Sequence, residues 1–141
     1  MRPVRGLIGP LVACLGVAVF VRRQLDVVEV RGQSMLPTLH PGDRLVAVRL
    51  HRPPRPGEIV IAPDPRQRGR ELVKRVLSAD ASGISLRGDN PAGSTDARAF
   101  GAIHPELVAW RVVMRYWPPR RIGPLRRRSP VTLLAEGGEP V

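Results

Sequence analysis

A single cysteine, Cys14, leaves this 141-residue chain without an internal disulfide and excludes a disulfide-stapled secreted scaffold. Histidine is nearly as scarce, with three residues, and no His/Cys cluster has metal-ligand spacing, so no metal or other cofactor is expected. Aromatic residues make up 4% of the chain, too few to build stacking platforms for nucleic acid. Acidic residues number 12 against 23 basic, a net charge of +11 that favours anionic partners such as lipid headgroups or nucleic acid without choosing between them. Among those 23 cations, Lys74 is the sole lysine.

What the chain does have is one apolar run and many turns. Residues Gly6 to Val21 are uncharged, with Arg2 and Arg5 before them and Arg22 and Arg23 after. As a helix this run would extend roughly 24 Å, somewhat less than the ~30 Å hydrocarbon core, a gap that snorkelling arginines or local thinning can close. Residues 1–24 are therefore expected to be a single transmembrane anchor. No small-x-small cleavage site follows the run. Leu11-Val12-Ala13-Cys14 resembles a lipoprotein cleavage box, but the apolar stretch continues past the cysteine.

Beyond the anchor, Pro 16 and Gly 14 punctuate short β-prone segments. Val27–Arg31, Arg44–Arg49, Glu58–Ala62, Glu71–Leu77, Ile84–Arg87 and Leu107–Tyr116 read as strands, separated by turns such as His40-Pro41-Gly42-Asp43. Such strands predict a mainly β domain over 25–118, a small antiparallel barrel or sandwich. From residue 119 to 141 the composition turns to proline and arginine, predicting a mobile basic tail that is either a solvated appendage or a contact for anionic lipid or nucleic acid.

Two residues stand out chemically. Ser34 lies in Gly32-Gln33-Ser34-Met35-Leu36-Pro37, a proline-restricted turn directly after the first strand, which is a rigid place to hold a hydroxyl. Lys74 alternates with Leu72 and Val76 on one face of its strand. Arginine supplies every other cation, so a lysine on an apolar face suggests a task arginine cannot perform, namely losing its proton to act as a general base. Lowering a lysine from about 10.4 to near 7 costs about 4 kcal/mol, which burial among apolar side chains can supply.

The stretches Gly32-x-Ser34-Met35-x-Pro37-Thr38-Leu39, Leu72-Val73-Lys74-Arg75-Val76 and Gly88-Asp89-Asn90, with Ser94-x-Asp96-x-Arg98, resemble the type I signal peptidase family of serine endopeptidases. Within that family, the compact spacing and the Trp110–Trp117 ending are similar to small actinobacterial-type members, including nickel superoxide dismutase maturation proteases. The resemblance implies a membrane-anchored endopeptidase with a Ser34/Lys74 dyad, a short cytoplasmic N-terminus and a catalytic domain on the outer face of the plasma membrane. It further implies that Ser94 orients the Lys74 amine and that Asp96 and Arg98 pair to hold their loop. The oxyanion would meet the backbone N–H of Ser34, and Met35, Asp89 and Asn90 would stand at the substrate cleft, the latter two chiefly as turn formers. Many members carry a hydroxyl two positions before the nucleophile; Gly32 stands there in this chain.

Partners so implied are a precursor protein with a cleavable N-terminal leader and the lipid bilayer, without nucleic acid. A maturation protease dedicated to one leader is an alternative. So is a Ser-His-Asp triad drawing on His40, His51 or His104, since a triad can assemble from distant residues. Self-cleaving repressors share the Ser/Lys chemistry but begin with a DNA-binding domain or cleavable arm. A non-enzymatic basic module binding lipid or nucleic acid, with Ser34 structural, completes the set.

Overall fold

The computed structural model of the protein describes residues 5–93 and 101–128. A helix, α1 (Arg5–Gln24), opens the chain and runs straight into the first strand. It has no acidic residue in its first turn, while Arg22 and Arg23 in the last turn complement the negative end of the helix dipole. Large apolar side chains from Ile8 to Val21 lie exposed on it. Among the described residues no helix is long and apolar enough to cross a membrane.

Seven strands follow: β1 (Leu25–Glu29), β2 (Arg44–Arg49), β3 (Ile59–Pro63), β4 (Glu71–Asp80), β5 (Gly83–Arg87), β6 (Trp110–Trp117) and the short β7 (Gly123–Pro124). All six predicted strands are present, with ends shifted by a few residues. They form one antiparallel sheet in the order β1-β2-β6-β3-β4-β5, with β7 added on β6. Strand β3 lies within the sheet and is buried on both faces. Its Ile59 and Ile61 join a cluster with Val30, Met35, Leu39 and Leu45. Its Val60 and Ala62 join the opposite cluster, with Val76, Ile84 and Leu86. A single alternating run thus feeds two cores.

The expected closed barrel or two-sheet sandwich is not what forms: the sheet is single and open, with β1 and β5 at its ends. The physical reason lies in where the chain goes after β5. Among the described residues the outer edge of β5 gains one isolated bridge, Ile84 to Ile103, and just after the strand the backbone turns to the Ser34 loop, Asn90 N–H donating to the Ser34 carbonyl at 2.9 Å.

The stretch from 119 onward also departs from expectation, because its first ten residues are built into the domain. A 3₁₀ turn over Pro119–Arg121 leads to β7, and Leu125 packs against the core beside Val28 and Trp110. At the buried Asp43, Arg121 Nη2 approaches Oδ1 at 2.6 Å and Arg115 Nη1 approaches Oδ2 at 3.2 Å. One arginine of this stretch, Arg121, is thus spent on a buried carboxylate that it shares with Arg115 of β6. Residues 129–141 lie outside the described part.

Candidate active site

The Ser34 turn belongs to a loop closed at its base. Val30 N–H donates to the Asp43 carbonyl at 2.8 Å, and Gly42 N–H returns to the Val30 carbonyl at 2.9 Å. Met35 and Leu39, four residues apart and almost wholly buried, pin the loop into the first cluster, and Leu39 N–H donates to the Met35 carbonyl at 2.8 Å. Ser34 is left half-buried directly before the Met35 anchor. A hydroxyl in this position is carried by a turn that cannot move without lifting two core side chains.

Lys74 lies in β4, 2% exposed, between Leu72 and Val76 and across from Val60 in the β3 register. Ser34 and Lys74 line the same cavity, of about 740 Å³. Residues 28–35 form one wall and the β3–β4 turn with the start of β4 forms the other, while Gly93 stands at the edge. Met35 also lines the cavity. Gly32 lines it too, with φ of +89° and no atom near the place a Cβ would take. Its backbone conformation, rather than crowding, is what suits glycine at the position where many family members carry a hydroxyl.

Asp89 and Asn90 support the turn from behind and are not among the lining residues. Asp89 accepts from Arg75 Nε at 2.8 Å, from Arg75 Nη2 at 2.6 Å and from the Thr38 hydroxyl at 2.5 Å. Asn90 Nδ2 donates to the Gln33 carbonyl at 3.0 Å. Ser94, Asp96 and Arg98 fall outside the described residues. His40 stands outside the cavity lining, at the Asp43 cluster, where its ring contacts Arg121. His51 hydrogen-bonds Gln24 and His104 approaches Glu106, so each of these two rings has a local partner outside the lining.

Several supporting residues gave no clear sequence signal. Arg75 follows Lys74 inside an apolar strand, a charge in an unexpected place, and its partner Asp89 is visible only in three dimensions. Arg66 and Arg70, at the turn between β3 and β4, also line the cavity and share the carboxylate of Asp64. Hydrogen bonds from the Arg66 side chain and backbone hold the Asp64 carboxyl below its usual range.

The arrangement offers a hydroxyl on a fixed turn and a buried amine on the same cavity. Comparison with known proteins agrees in kind. Residues 5–87, which include both Ser34 and Lys74, match the family model described as signal peptidase, peptidase S26. The chain is 32% identical over 120 residues to the mitochondrial ATP-independent inner membrane protease subunit 1b of Arabidopsis thaliana, covering 67% of this chain and 71% of that protein. It is 30% identical over 128 residues to subunit 1a of the same plant, covering 72% and 76%. Against the human mitochondrial inner membrane protease subunit 1, identity is 31% over 123 residues, covering 71% and 74%. On these matches, the chain belongs to the signal peptidase, peptidase S26 family.

Proposed function

We propose that this chain is a serine endopeptidase that removes N-terminal leader segments from precursor proteins with a Ser34/Lys74 dyad. The observation that carries the reading is the shared cavity: Ser34 on its rigid turn and Lys74, buried among apolar neighbours, line one space. Ser34 Oγ attacks the scissile carbonyl carbon, and the neutral Lys74 amine accepts the hydroxyl proton. The tetrahedral oxyanion is met by the backbone N–H of Ser34. Collapse expels the new amine terminus, which takes the proton back from Lys74, and leaves the leader esterified to Ser34. Water then attacks the ester, with Lys74 again as base.

Membrane attachment through α1 is part of the same proposal, with the catalytic domain on the outer face. Its apolar side chains are exposed from Ile8 to Val21, a surface that a lipid bilayer would cover. The relatives' names, inner membrane proteases, support work at a membrane.

The test is cleavage of leader-bearing precursors by purified protein in detergent, beside Ser34→Ala and Lys74→Arg, from pH 6 to 10. The dyad requires that the wild type cuts, that both variants do not, and that activity rises through an apparent pKa well below a free lysine's. Retained cleavage by Lys74→Arg would exclude the dyad and return a histidine route.

A further inference from the structure

One residue behind the Ser34 turn holds the backbone on both sides of the hydroxyl. Asn90 Nδ2 donates to the Gln33 carbonyl at 3.0 Å, and the Asn90 backbone N–H donates to the Ser34 carbonyl at 2.9 Å. Those carbonyls belong to the two peptide planes that meet at the Ser34 Cα, so holding both restrains the rotations about that atom. The Leu36 N–H gives the Gln33 carbonyl a second donor, at 3.2 Å. The Gln33–Ser34 peptide is trans, and in a trans peptide the carbonyl and the N–H point to opposite sides. With the carbonyl turned to Asn90, which stands outside the cavity lining, the Ser34 N–H is turned the other way, on the side where Gln33 and Ser34 line the cavity. Asn90 is itself fixed, because it follows Asp89, whose carboxylate is held by Arg75, the residue after Lys74. The direction of the N–H is thereby tied to the strand that carries the amine.

We propose that Asn90 is a positioning residue for the oxyanion: it aims the Ser34 N–H at the negative oxygen of the tetrahedral intermediate and strengthens that N–H as a donor. The aim comes from the bond between Asn90 Nδ2 and the Gln33 carbonyl, which sets the tilt of the peptide plane. The strength comes from polarisation, since an amide whose carbonyl accepts hydrogen bonds has a more positive N–H, by about 10–30% in bond strength for each bond accepted. Both effects weigh more in this chain because Gly32 brings no side-chain donor beside the Ser34 N–H. A residue that only shapes the turn acts alike on the free site, on bound substrate and on the intermediate. An oxyanion exists only after attack, so a residue that aims its donor acts on the intermediate alone. The inference rests on the peptidase reading and adds to it a residue outside the Ser34/Lys74 pair.

The test compares a ligand that forms an oxyanion with one that cannot. A fluorescent peptide ending in an Ala-x-Ala aldehyde accepts Ser34 Oγ at its carbonyl carbon; the C=O π bond opens to a negative oxygen, and the hydroxyl proton passes to the neutral Lys74 amine. The matching peptide alcohol occupies the same cavity without that step. Binding of both to the full-length protein in neutral detergent is read by anisotropy, and cleavage of leader-bearing precursors is read in parallel. In the wild type the aldehyde binds more tightly than the alcohol, an advantage that Ser34→Ala removes. Asn90→Ala keeps the backbone N–H and loses Nδ2. It is expected to lower both the aldehyde advantage and kcat by about 10- to 100-fold, less than the roughly 10²- to 10³-fold of a donor removed outright, because Leu36 still holds the Gln33 carbonyl. Asn90→Asp, of nearly the same shape, sets a carboxylate oxygen against that carbonyl and loses more. Alcohol affinity and KM stay within about twofold in both variants. An aldehyde advantage and a kcat equal to the wild type's in both variants overturn the aiming role and leave the peptidase reading standing. Alcohol binding that falls in step with aldehyde binding overturns it too, because Asn90 then does no more than support the turn. A wild type that neither favours the aldehyde nor cuts any precursor defeats the peptidase reading itself, and the inference with it.

Discussion

The Arg75 guanidinium grips the Asp89 carboxylate through two hydrogen bonds, at 2.8 and 2.6 Å, and both side chains are almost completely buried. Arg75 follows Lys74 directly, and Asp89 also accepts the Thr38 hydroxyl at 2.5 Å from within the Ser34 loop. The pair therefore ties the strand that carries the amine to the turn that carries the hydroxyl. Arg75 Nη1 extends the tie to the Gly57 carbonyl at 2.9 Å.

Removing one member of that pair leaves a buried charge without its partner. Asp89→Ala is expected to cost about 3–5 kcal/mol of stability, measured by urea unfolding, and to slow cleavage as well. A loss below about 1 kcal/mol would show that water or another group takes over the Arg75 charge.

Arg115 and Arg121 share Asp43 unequally. Arg115 donates to Asp43, to the Thr38 carbonyl at 3.0 Å and to the Arg121 carbonyl at 2.6 Å, whereas Arg121 Nη2 donates to Asp43 at 2.6 Å and its Nη1 meets the His40 ring. Arg121 is also the more exposed, at 34% against 16%. Arg115→Ala should destabilise by about 3–5 kcal/mol and Arg121→Ala by about 1–2 kcal/mol, on the scale of charged hydrogen bonds lost beside a buried carboxylate. Denaturant midpoints of the two variants in the reverse order would contradict this hierarchy.

Gly57 reports on the C-terminal stretch. A Cβ there would stand 1.9 Å from the Arg128 carbonyl oxygen, and its φ of +86° is itself unfavourable for alanine. Gly57→Ala should therefore cost more in the full chain than in one shortened after Leu125, where only the backbone strain of about 1 kcal/mol persists. Equal thermal shifts in the two backgrounds would mean that residues 126–128 do not rest on Gly57 in solution.

Acid should weaken the domain through Asp64 and Glu58. Burial pushes the Glu58 carboxyl up, but hydrogen bonds from Arg52 and the Arg55 backbone, with the charges of Arg52 and Arg111, outweigh it and hold it below its ordinary value. Asp64 is held low as well. A carboxyl lowered on folding stabilises fully above its unfolded pKa and loses that contribution as pH falls through the folded one. Stability from these two groups is thus level from neutral pH down to about pH 5 and declines below about pH 4. Glu58→Gln should flatten part of that slope in urea titrations run at successive pH values, and an unchanged slope would count against Glu58.

Gly32→Ser would place a hydroxyl where many relatives of the signal peptidase type have one. With φ at +89° a serine strains the turn by about 1 kcal/mol, although space for the side chain is open. We expect lower stability and no gain in kcat. A faster variant would show that the hydroxyl reaches the oxyanion despite the strain.

Strand positions were legible because their signal is local. Leu72, Lys74 and Val76 alternate with Val73 and Arg75, and a period of two can be read without knowing the neighbouring strand. The Ser34 turn was legible for the same reason, from Gly32 and Pro37 around a hydroxyl. The ordered stretch after residue 119 was not, since proline and like charges suggest a mobile tail until the buried carboxylate of Asp43 is known to wait for Arg121.

By itself, then, the sequence determined a helix, six antiparallel strands, one lysine on an apolar strand face and one serine on a tight turn. Tertiary structure alone decided that the sheet stays open, that Asp89 faces Arg75 and that Asp43 gathers arginines more than 70 residues away. Side-chain alternation is a property of each strand. Ion-pair partners depend on register between segments distant in the chain, and on which backbone groups remain to be satisfied once the strands have paired.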